Sequence, residues 1–520
     1  MIWSGLLPLL AYSSTAAASP ASVSKRQAAD VGAPNGASIA IDAGVQFQEM
    51  DGLGVSQAFQ SALDVLGRGG LSEKNQSYVL DLLFDLQKGA GFTILRNGIG
   101  TSDNYLYSRM KSIESVSPGS PDAKPTYVWD RNDTGQFILA QEAYKRGLKN
   151  LYGNAWSAPG YMKTSGDDVG GSLCGVSDAT CASGNWIKAY TNFLLQWVGF
   201  YEQSGVKVTE LGFLNEPELK TTYVSMLSNG TQASDVIRVL GPQVKAAGLD
   251  LKLTCCDAVG WQHQKEKMDE LKAGPDPAEA HLDIITAHGY ASHPTFPLQT
   301  SRKVWQTEWS DLAPVYTPST FFGDGSFGEG LTWAANIQTA YTQGNVSGFL
   351  YWIGGTPGKV NTGLINLLGD EVVPTKRFWA HAQFSKFARP GGRRISATSD
   401  VATVTVSSFT NIDGSIATQV INNGTTSVDL DVAIKGLPAG AASVLPYLTD
   451  NDHDLEALPA IPVSGGRFKA NVPARSLVSF VTSGQATAGA GSQGKGGKEE
   501  KGGKGGKGKK RACKKRNPTV

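Results

Sequence analysis

Between residues 50 and 385 the sequence alternates eight times between a short apolar run and a longer segment of helical periodicity, which leaves few folds open. The short runs are Gly52–Ser56, Thr93–Ile99, Leu148–Ala155, Glu210–Leu214, Leu251–Cys256, Asp283–His288, Lys303–Thr307 and Gly348–Trp352. They are continuously apolar rather than alternating, as strands covered on both faces must be. The segments between them, such as Trp186–Gln203, carry apolar residues at helical spacing and a polar opposite face. Eight such units are the number that closes a parallel sheet on itself. The expected fold class is therefore α/β, with a (β/α)8 TIM barrel over residues 48–387.

Beyond Phe387 the texture changes. Val401–Phe409, Ile416–Asn422 and Ser476–Val481 alternate in polarity, and turn signals separate them, Asn411-Ile412-Asp413-Gly414 and Asn422-Asn423-Gly424. An antiparallel β-sandwich side domain is expected over 388–483, with residues 37–47 lending it a strand. No aromatic ladder marks it as a detached carbohydrate-binding module. Residues 484–520 are mostly Gly, Lys, Ala and Ser, with too little apolar surface to order a fold. They read as a disordered basic tether, with Coulomb attraction to acidic wall polymers as the alternative.

The first 18 residues read as a signal peptide ending in Ala16-Ala17-Ala18, and 19–26 as a propeptide ending in the dibasic Lys25-Arg26. Sequons at Asn75, Asn132, Asn229, Asn345 and Asn423 suit a glycosylated, extracellular protein. Cys174 and Cys181 flank a Gly/Ser/Asp-rich loop that a disulfide would close. For the adjacent Cys255 and Cys256, buried thiols and a bridge both remain open, and Cys513 falls in the tail. No cysteine shows metal-ligand spacing, so neither metal nor cofactor is expected. A net charge of +1 advertises no nucleic-acid partner, and no apolar run is long enough to span a bilayer. A monomer acting on a polysaccharide is the expectation.

The chemistry collects at the C-terminal ends of the expected strands, where barrel active sites are assembled. The fourth strand runs into Leu214-Asn215-Glu216-Pro217 and the seventh into Gln306-Thr307-Glu308-Trp309, so two carboxylates face each other across the opening. Such a pair can divide glycoside hydrolysis, one protonating the leaving oxygen while the other, ionised, attacks. Glu216 is the candidate acid/base and Glu308 the candidate nucleophile. Arg96 ends the second strand, placed to keep Glu308 ionised. Asn215 offers an amide to a substrate hydroxyl. Trp156, His288, Tyr290 and Trp352 are expected to line the mouth with polar tips and aromatic faces.

At these residues the chain resembles glycoside hydrolase family 30, in clan A. The resemblance spans about residues 40–482. It rests on Gln48-Glu49-Met50-Asp51-Gly52-Leu53-Gly54, Leu95-Arg96-Asn97-Gly98-Ile99-Gly100, Asn154 to Lys163 (with Trp-Ser-Ala-Pro-Gly-Tyr-Met-Lys as its most specific string), Leu214-Asn215-Glu216-Pro217, Gln306-Thr307-Glu308 and Phe384 to Gly391. It implies a barrel fused to a β side domain, retention of anomeric configuration, and the roles given above to Glu216 and Glu308. Phe213 to Tyr223, Thr254-Cys255-Cys256-Asp257 and Thr286-Ala287-His288 are most similar to the fungal xylan-active subfamily 7. That branch includes glucuronoxylanases and xylobiose-releasing enzymes. Ser61 stands where such relatives often carry arginine, a partner for a uronate.

Two other β-glycan activities share this frame, an endo-β-1,6-galactanase and a β-1,6-glucanase. A non-catalytic carbohydrate-binding wall protein would keep the aromatic residues but has no need of opposed carboxylates. A serine esterase lacks its Gly-x-Ser-x-Gly elbow, and a zinc hydrolase lacks ligands.

Overall fold

The computed structural model describes residues 36–103 and 109–482. The expected signal peptide, propeptide, Cys513 and basic tail lie outside them. The first strand is β1 (Gly36–Glu49). Eight parallel strands follow, β2 (Gly52–Ser56), β3 (Ile94–Ile99), β4 (Asn150–Ala155), β5 (Glu210–Gly212), β6 (Lys252–Ala258), β7 (Ile284–His288), β8 (Lys303–Glu308) and β9 (Gly348–Pro357). They pair in chain order, and β9 pairs with both β8 and β2, which closes the barrel. Ile94, Tyr152, Ile284, Trp305 and Leu350, one from each of five strands, form a separate buried cluster that fills the barrel. The expected strands are present within a few residues. However, β5 ends at Gly212, before the expected Leu214, and β9 runs on to Pro357, where β10 (Gly363–Leu368) and β11 (Glu371–Pro374) extend the sheet.

Three strand pairs slip register near their C-terminal ends, and each slip re-aims a side chain. Between β6 and β7, Cys256 pairs with Thr286 and Ala258 with Ala287, leaving Asp257 as the extra residue. Between β7 and β8, Ala287 pairs with Gln306 and His288 with Glu308, leaving Thr307. Between β2 and β9, Val55 pairs with Tyr351 and Ser56 with Ile353, leaving Trp352. A bulge turns side chains out of strict alternation. Asp257, Thr307 with the adjoining Glu308, and Trp352 owe their directions to these three.

The second domain is built from β12 (Arg393–Ser399), β13 (Val404–Thr410), β14 (Ile416–Asn422), β15 (Val428–Lys435), β16 (Ser443–Thr449), β17 (Glu456–Ala457), β18 (Ile461–Pro462), β19 (Arg467–Val472) and β20 (Ser476–Thr482). The order β17-β16-β20-β14-β13-β12-β1-β15-β19 makes one continuous sheet. It folds over its own core, since Phe468 of β19 meets Phe480 of β20 at 5.2 Å between ring centroids. The expected loan of an N-terminal strand is present: β1 lies between β12 and β15. Its pairing with β15 is parallel, so the sheet is not wholly antiparallel.

A helix over Lys376–Phe387 joins the domains. Thr375 caps its first turn by accepting from the Phe378 amide. Its buried Phe378 and Phe384 contribute about 1.5–3 kcal/mol each by leaving water. Toward the side domain, Gln383 donates to the Tyr447 carbonyl at 3.0 Å and Lys376 pairs with Asp454 at 2.7 Å.

Two disulfides are present among the described residues. Cys255 is bonded to its neighbour Cys256, which settles the alternative left open by sequence in favour of a bridge. Cys174–Cys181 ties a loop at the barrel mouth, where the Cys174 amide bonds the Met162 carbonyl and the Trp186 amide bonds the Cys174 carbonyl. Closing so short a loop stabilises by roughly 2–3 kcal/mol through the unfolded chain. Cys174→Ser with Cys181→Ser is expected to lower the unfolding free energy by that amount, read as a lower denaturant midpoint. An unaltered midpoint would count against it.

Candidate active site

Glu216 and Glu308 are buried carboxyls, 7% and 5% exposed. Glu216 follows β5 in a left-handed conformation, φ +44°, that a side chain beyond glycine rarely adopts. Its amide donates to the Asp257 carbonyl at 2.8 Å, which fixes that geometry. The Tyr223 hydroxyl donates to its Oε2 at 2.8 Å, and His288 Nδ1 meets its Oε1 at 3.2 Å. Glu308 ends β8. Arg96 Nη1 donates to its Oε2 at 2.5 Å and the Tyr290 hydroxyl to its Oε1 at 3.0 Å. One oxygen of each glutamate and one nitrogen of His288 all lie within 4.8 Å of one another.

The expected site residues therefore meet, with three differences. Trp156 is only 1% exposed. Its ring lies 4.4 Å from the Arg96 guanidinium and 5.3 Å from Phe59, so it supports the arginine instead of offering a face to sugar. His288 is fully buried and directs both ring nitrogens at carboxylates, Nε2 approaching Asp257 at 3.4 Å and Glu308 at 3.8 Å. It is not a polar tip in the lining. Asn215 turns its Oδ1 to Arg96 Nη2 at 2.6 Å, so it orients the cation. Trp352 stays half-buried, 6.1 Å from both Phe59 and Trp156.

Sequence reading missed Asp257, Tyr223 and Phe59. Asp257 sits at a strand end in the same ring, which was the one available signal. Phe59 and Tyr223 come from loops, where no periodicity points.

The electrostatics invert one expectation. Burial would lower the charge on His288, but Glu308, Asp257 and Glu216 around it raise its pKa from 6.5 to about 9. Burial would raise Glu216, yet the hydrogen bond and charge of His288, aided by Tyr223 and Arg96, bring it below the ordinary carboxylate value. Glu308 is raised, by burial first and by the Glu216 charge, against the pull of His288 and Arg96. The pair titrates together, and the His288 hydrogen bond draws Glu216 toward its anion in the absence of substrate. The cause is the placement of His288 nearer Glu216.

The same trio has the composition of a cation site, but its donors are engaged. Arg96 already donates to Glu308, and both His288 nitrogens face carboxylates, so a metal would meet two cations. The residues do not fit one.

A folded pKa above the unfolded value stabilises the protein below pH 6.5 and loses that contribution as pH rises through about 9. The thermal midpoint is therefore expected to fall between those pH values, and His288→Gln to flatten that slope. Equal slopes in the two proteins would refute the link.

Two family models match the chain. The model of glycosyl hydrolase family 59 matches residues 51–356, and that of the glycosyl hydrolase family 30 beta sandwich domain matches 391–480. They divide the barrel and the side domain between two families. The catalytic domain of GH30 xylanase C from Talaromyces cellulolyticus decides between them: it is 37% identical, with a TM-score of 0.79, over 86% of this chain and 100% of that one. The chain belongs to glycoside hydrolase family 30. Among curated proteins, this family 30 chain is 24% identical to glucuronoxylanase XynC of Bacillus subtilis, over 66% of its own length and 76% of the relative's. It is also 24% identical to endo-1,6-beta-D-glucanase BGN16.3 of Trichoderma harzianum, over 67% of this chain and 70% of that one. As a family 30 enzyme it is a retaining β-glycosidase. One oxygen of each facing carboxyl lies within 4.8 Å of the other, in keeping with the roughly 5–5.5 Å spacing of retaining enzymes. Among the described residues, no helix is long and apolar enough to cross a membrane.

Proposed function

We propose that the chain is a secreted xylanase that cleaves β-1,4-xylosidic bonds by double displacement, with Glu308 as nucleophile and Glu216 as acid/base. The facing, buried carboxyl pair carries the mechanism. The substrate rests on likeness to the Talaromyces xylanase along that protein's full structure. The signal peptide and sequons support secretion.

In the first half-reaction Glu308 bonds to the anomeric carbon while Glu216 gives its proton to the departing oxygen. In the second, Glu216 takes a proton from water as that water displaces Glu308. Attack requires the pair's proton to sit on Glu216. A glycosidic oxygen against Glu216 supplies an acceptor for that proton. Positive charge developing on the sugar favours the Glu308 anion, and Arg96 and Tyr290 already point donors at its oxygens. The substrate itself thus moves the proton to where it is used.

Ser61 is buried and donates to the Ala58 carbonyl at 2.7 Å, so this position offers no charge to a uronate. Action on linear xylan without glucuronic-acid side chains follows. The Trichoderma relative favours a second reading, a β-1,6-glucanase on the same frame.

Incubation with linear xylan, glucuronoxylan, arabinoxylan, β-1,6-glucan and β-1,6-galactan, with products sized, separates these readings. Xylobiose or longer xylo-oligosaccharides from linear xylan are the expected result. Products from a β-1,6-glycan alone would overturn the substrate and leave the pair's chemistry standing.

A further inference from the structure

Beside the two glutamates lies a third carboxylate that bonds neither of theirs but contacts Arg96 and His288, which hold them. Asp257 is the bulged residue of β6, 1% exposed and at φ +51°. Its Oδ1 accepts from Thr307 Oγ1 at 2.6 Å and from Arg96 Nη2 at 3.3 Å. Its Oδ2 accepts from Tyr152 at 2.5 Å and from Thr286 Oγ1 at 2.8 Å. Its carbonyl accepts the Glu216 amide at 2.8 Å, and Oδ1 faces His288 Nε2 at 3.4 Å. Burial would raise its pKa, but Arg96, His288 and Thr307 bring it down to about 2.

The contacts reach four strands, β3, β4, β7 and β8, and the segment that follows β5. Thr307 is the bulged residue of β8 and precedes Glu308, so one bulge is hydrogen-bonded to the other. Arg96 comes from β3, His288 and Thr286 from β7, Tyr152 from β4, and Glu216 follows β5. A carboxylate is the one side chain that accepts from all these donors and donates to none. Asparagine in its place would set an NH2 group against at least two of them. Charge points the same way, because two buried cations, Arg96 and His288, stand beside two glutamates of which the reaction needs one neutral. Asp257 supplies the second fixed negative charge.

We propose that Asp257 is the positioning residue that keeps His288 cationic and Arg96 aimed at Glu308, and so determines which of Glu216 and Glu308 holds the shared proton. The proposal rests on the hydrolytic reading above. Asp257 acts through its neighbours and reaches no sugar. The groups facing His288 are Glu216 from the β5 end, Asp257 from β6, Glu308 from β8 and Tyr290 beyond β7. Arg96 reaches it only through Asp257 and Glu308.

The test is Asp257→Asn in the full chain, read by NMR titration of the His288 imidazole and by kcat and KM on linear xylo-oligosaccharides across pH. The imidazolium of the native protein is expected to persist to pH about 9. In the variant it should titrate at least one unit lower, and the alkaline limb of kcat should move with it. Displaced reacting groups are expected to lower kcat by about 10²-fold with KM changed less than about threefold. Matching titrations and pH profiles in the two proteins, even with a lower melting point in the variant, would overturn the proposal and leave a structural role. Should the variant not fold, Thr307→Val removes one donor to the same carboxylate and should shift the His288 titration in a smaller, measurable step. Titration of native His288 below pH 7 overturns the proposal without any variant. Failure of the native chain on every β-glycan would instead sink the hydrolytic reading, while the NMR titration still reports what Asp257 does.

Discussion

Replacing Glu308 with alanine is expected to abolish hydrolysis, a loss on the order of 10⁴–10⁶-fold in kcat, while the folded chain survives. The loss follows from bond-making, since without this carboxylate nothing bonds the anomeric carbon and the two-step path closes. The fold survives because Arg96, deprived of Glu308, still has Asp257 at 3.3 Å and Asn215 at 2.6 Å. The buried cation keeps a counter-charge, unlike the case of an ion pair broken outright. Near-native circular dichroism and melting with no released sugar is the expected pattern. The cavity also has room for a small anion, so azide should restore turnover of an aryl glycoside with an inverted glycosyl azide as product. Near-normal activity on every polysaccharide tried would end the nucleophile assignment.

The second large effect is asymmetric between substrates. Glu216→Ala removes the proton donor, and cleavage of xylan, whose leaving group is a poor alkoxide, is expected to slow by about 10²–10⁴-fold. An aryl glycoside with an acidic phenol needs little protonation, so its first step should be almost unaffected. The second step still lacks its base, and the glycosyl-enzyme should accumulate as a mass increase on Glu308. A uniform loss on both substrates would show that Glu216 holds structure rather than moves a proton. Tyr223 and His288, which bond it, would then be the groups to examine.

Much of this architecture was legible because it depends on local pattern. The buried strands β2, β3, β7 and β8 announce themselves as apolar runs, and the glutamates sit where such runs end. The sandwich strand Ile416–Asn422 was legible to the residue because its turns are chemically explicit. What escaped was set by register between strands. Asp257, Thr307 and Trp352 point as they do because each is the extra residue of a bulge, and a bulge belongs to a pair of strands rather than to either sequence. Trp156 was misjudged for a related reason. Its motif marks the site, but whether the ring faces sugar or the underside of Arg96 depends on a strand encoded 60 residues earlier. The pull on Glu216 was hidden too, since it depends on His288 Nδ1 lying 3.2 Å from its carboxylate.

The sandwiching of β1 between β12 and β15 sets a schedule for biosynthesis. Ile39 pairs with Ser399, so the first strand leaves the ribosome about 360 residues before its partner exists. At about 5–20 residues per second that interval is roughly 20–70 s. Throughout it, a 14-residue strand with an apolar face waits with both edges unpaired while an entire barrel is made behind it. Slower translation lengthens its exposure. Yield in a recombinant host should therefore depend on chaperone supply more than the stability of the finished protein would suggest.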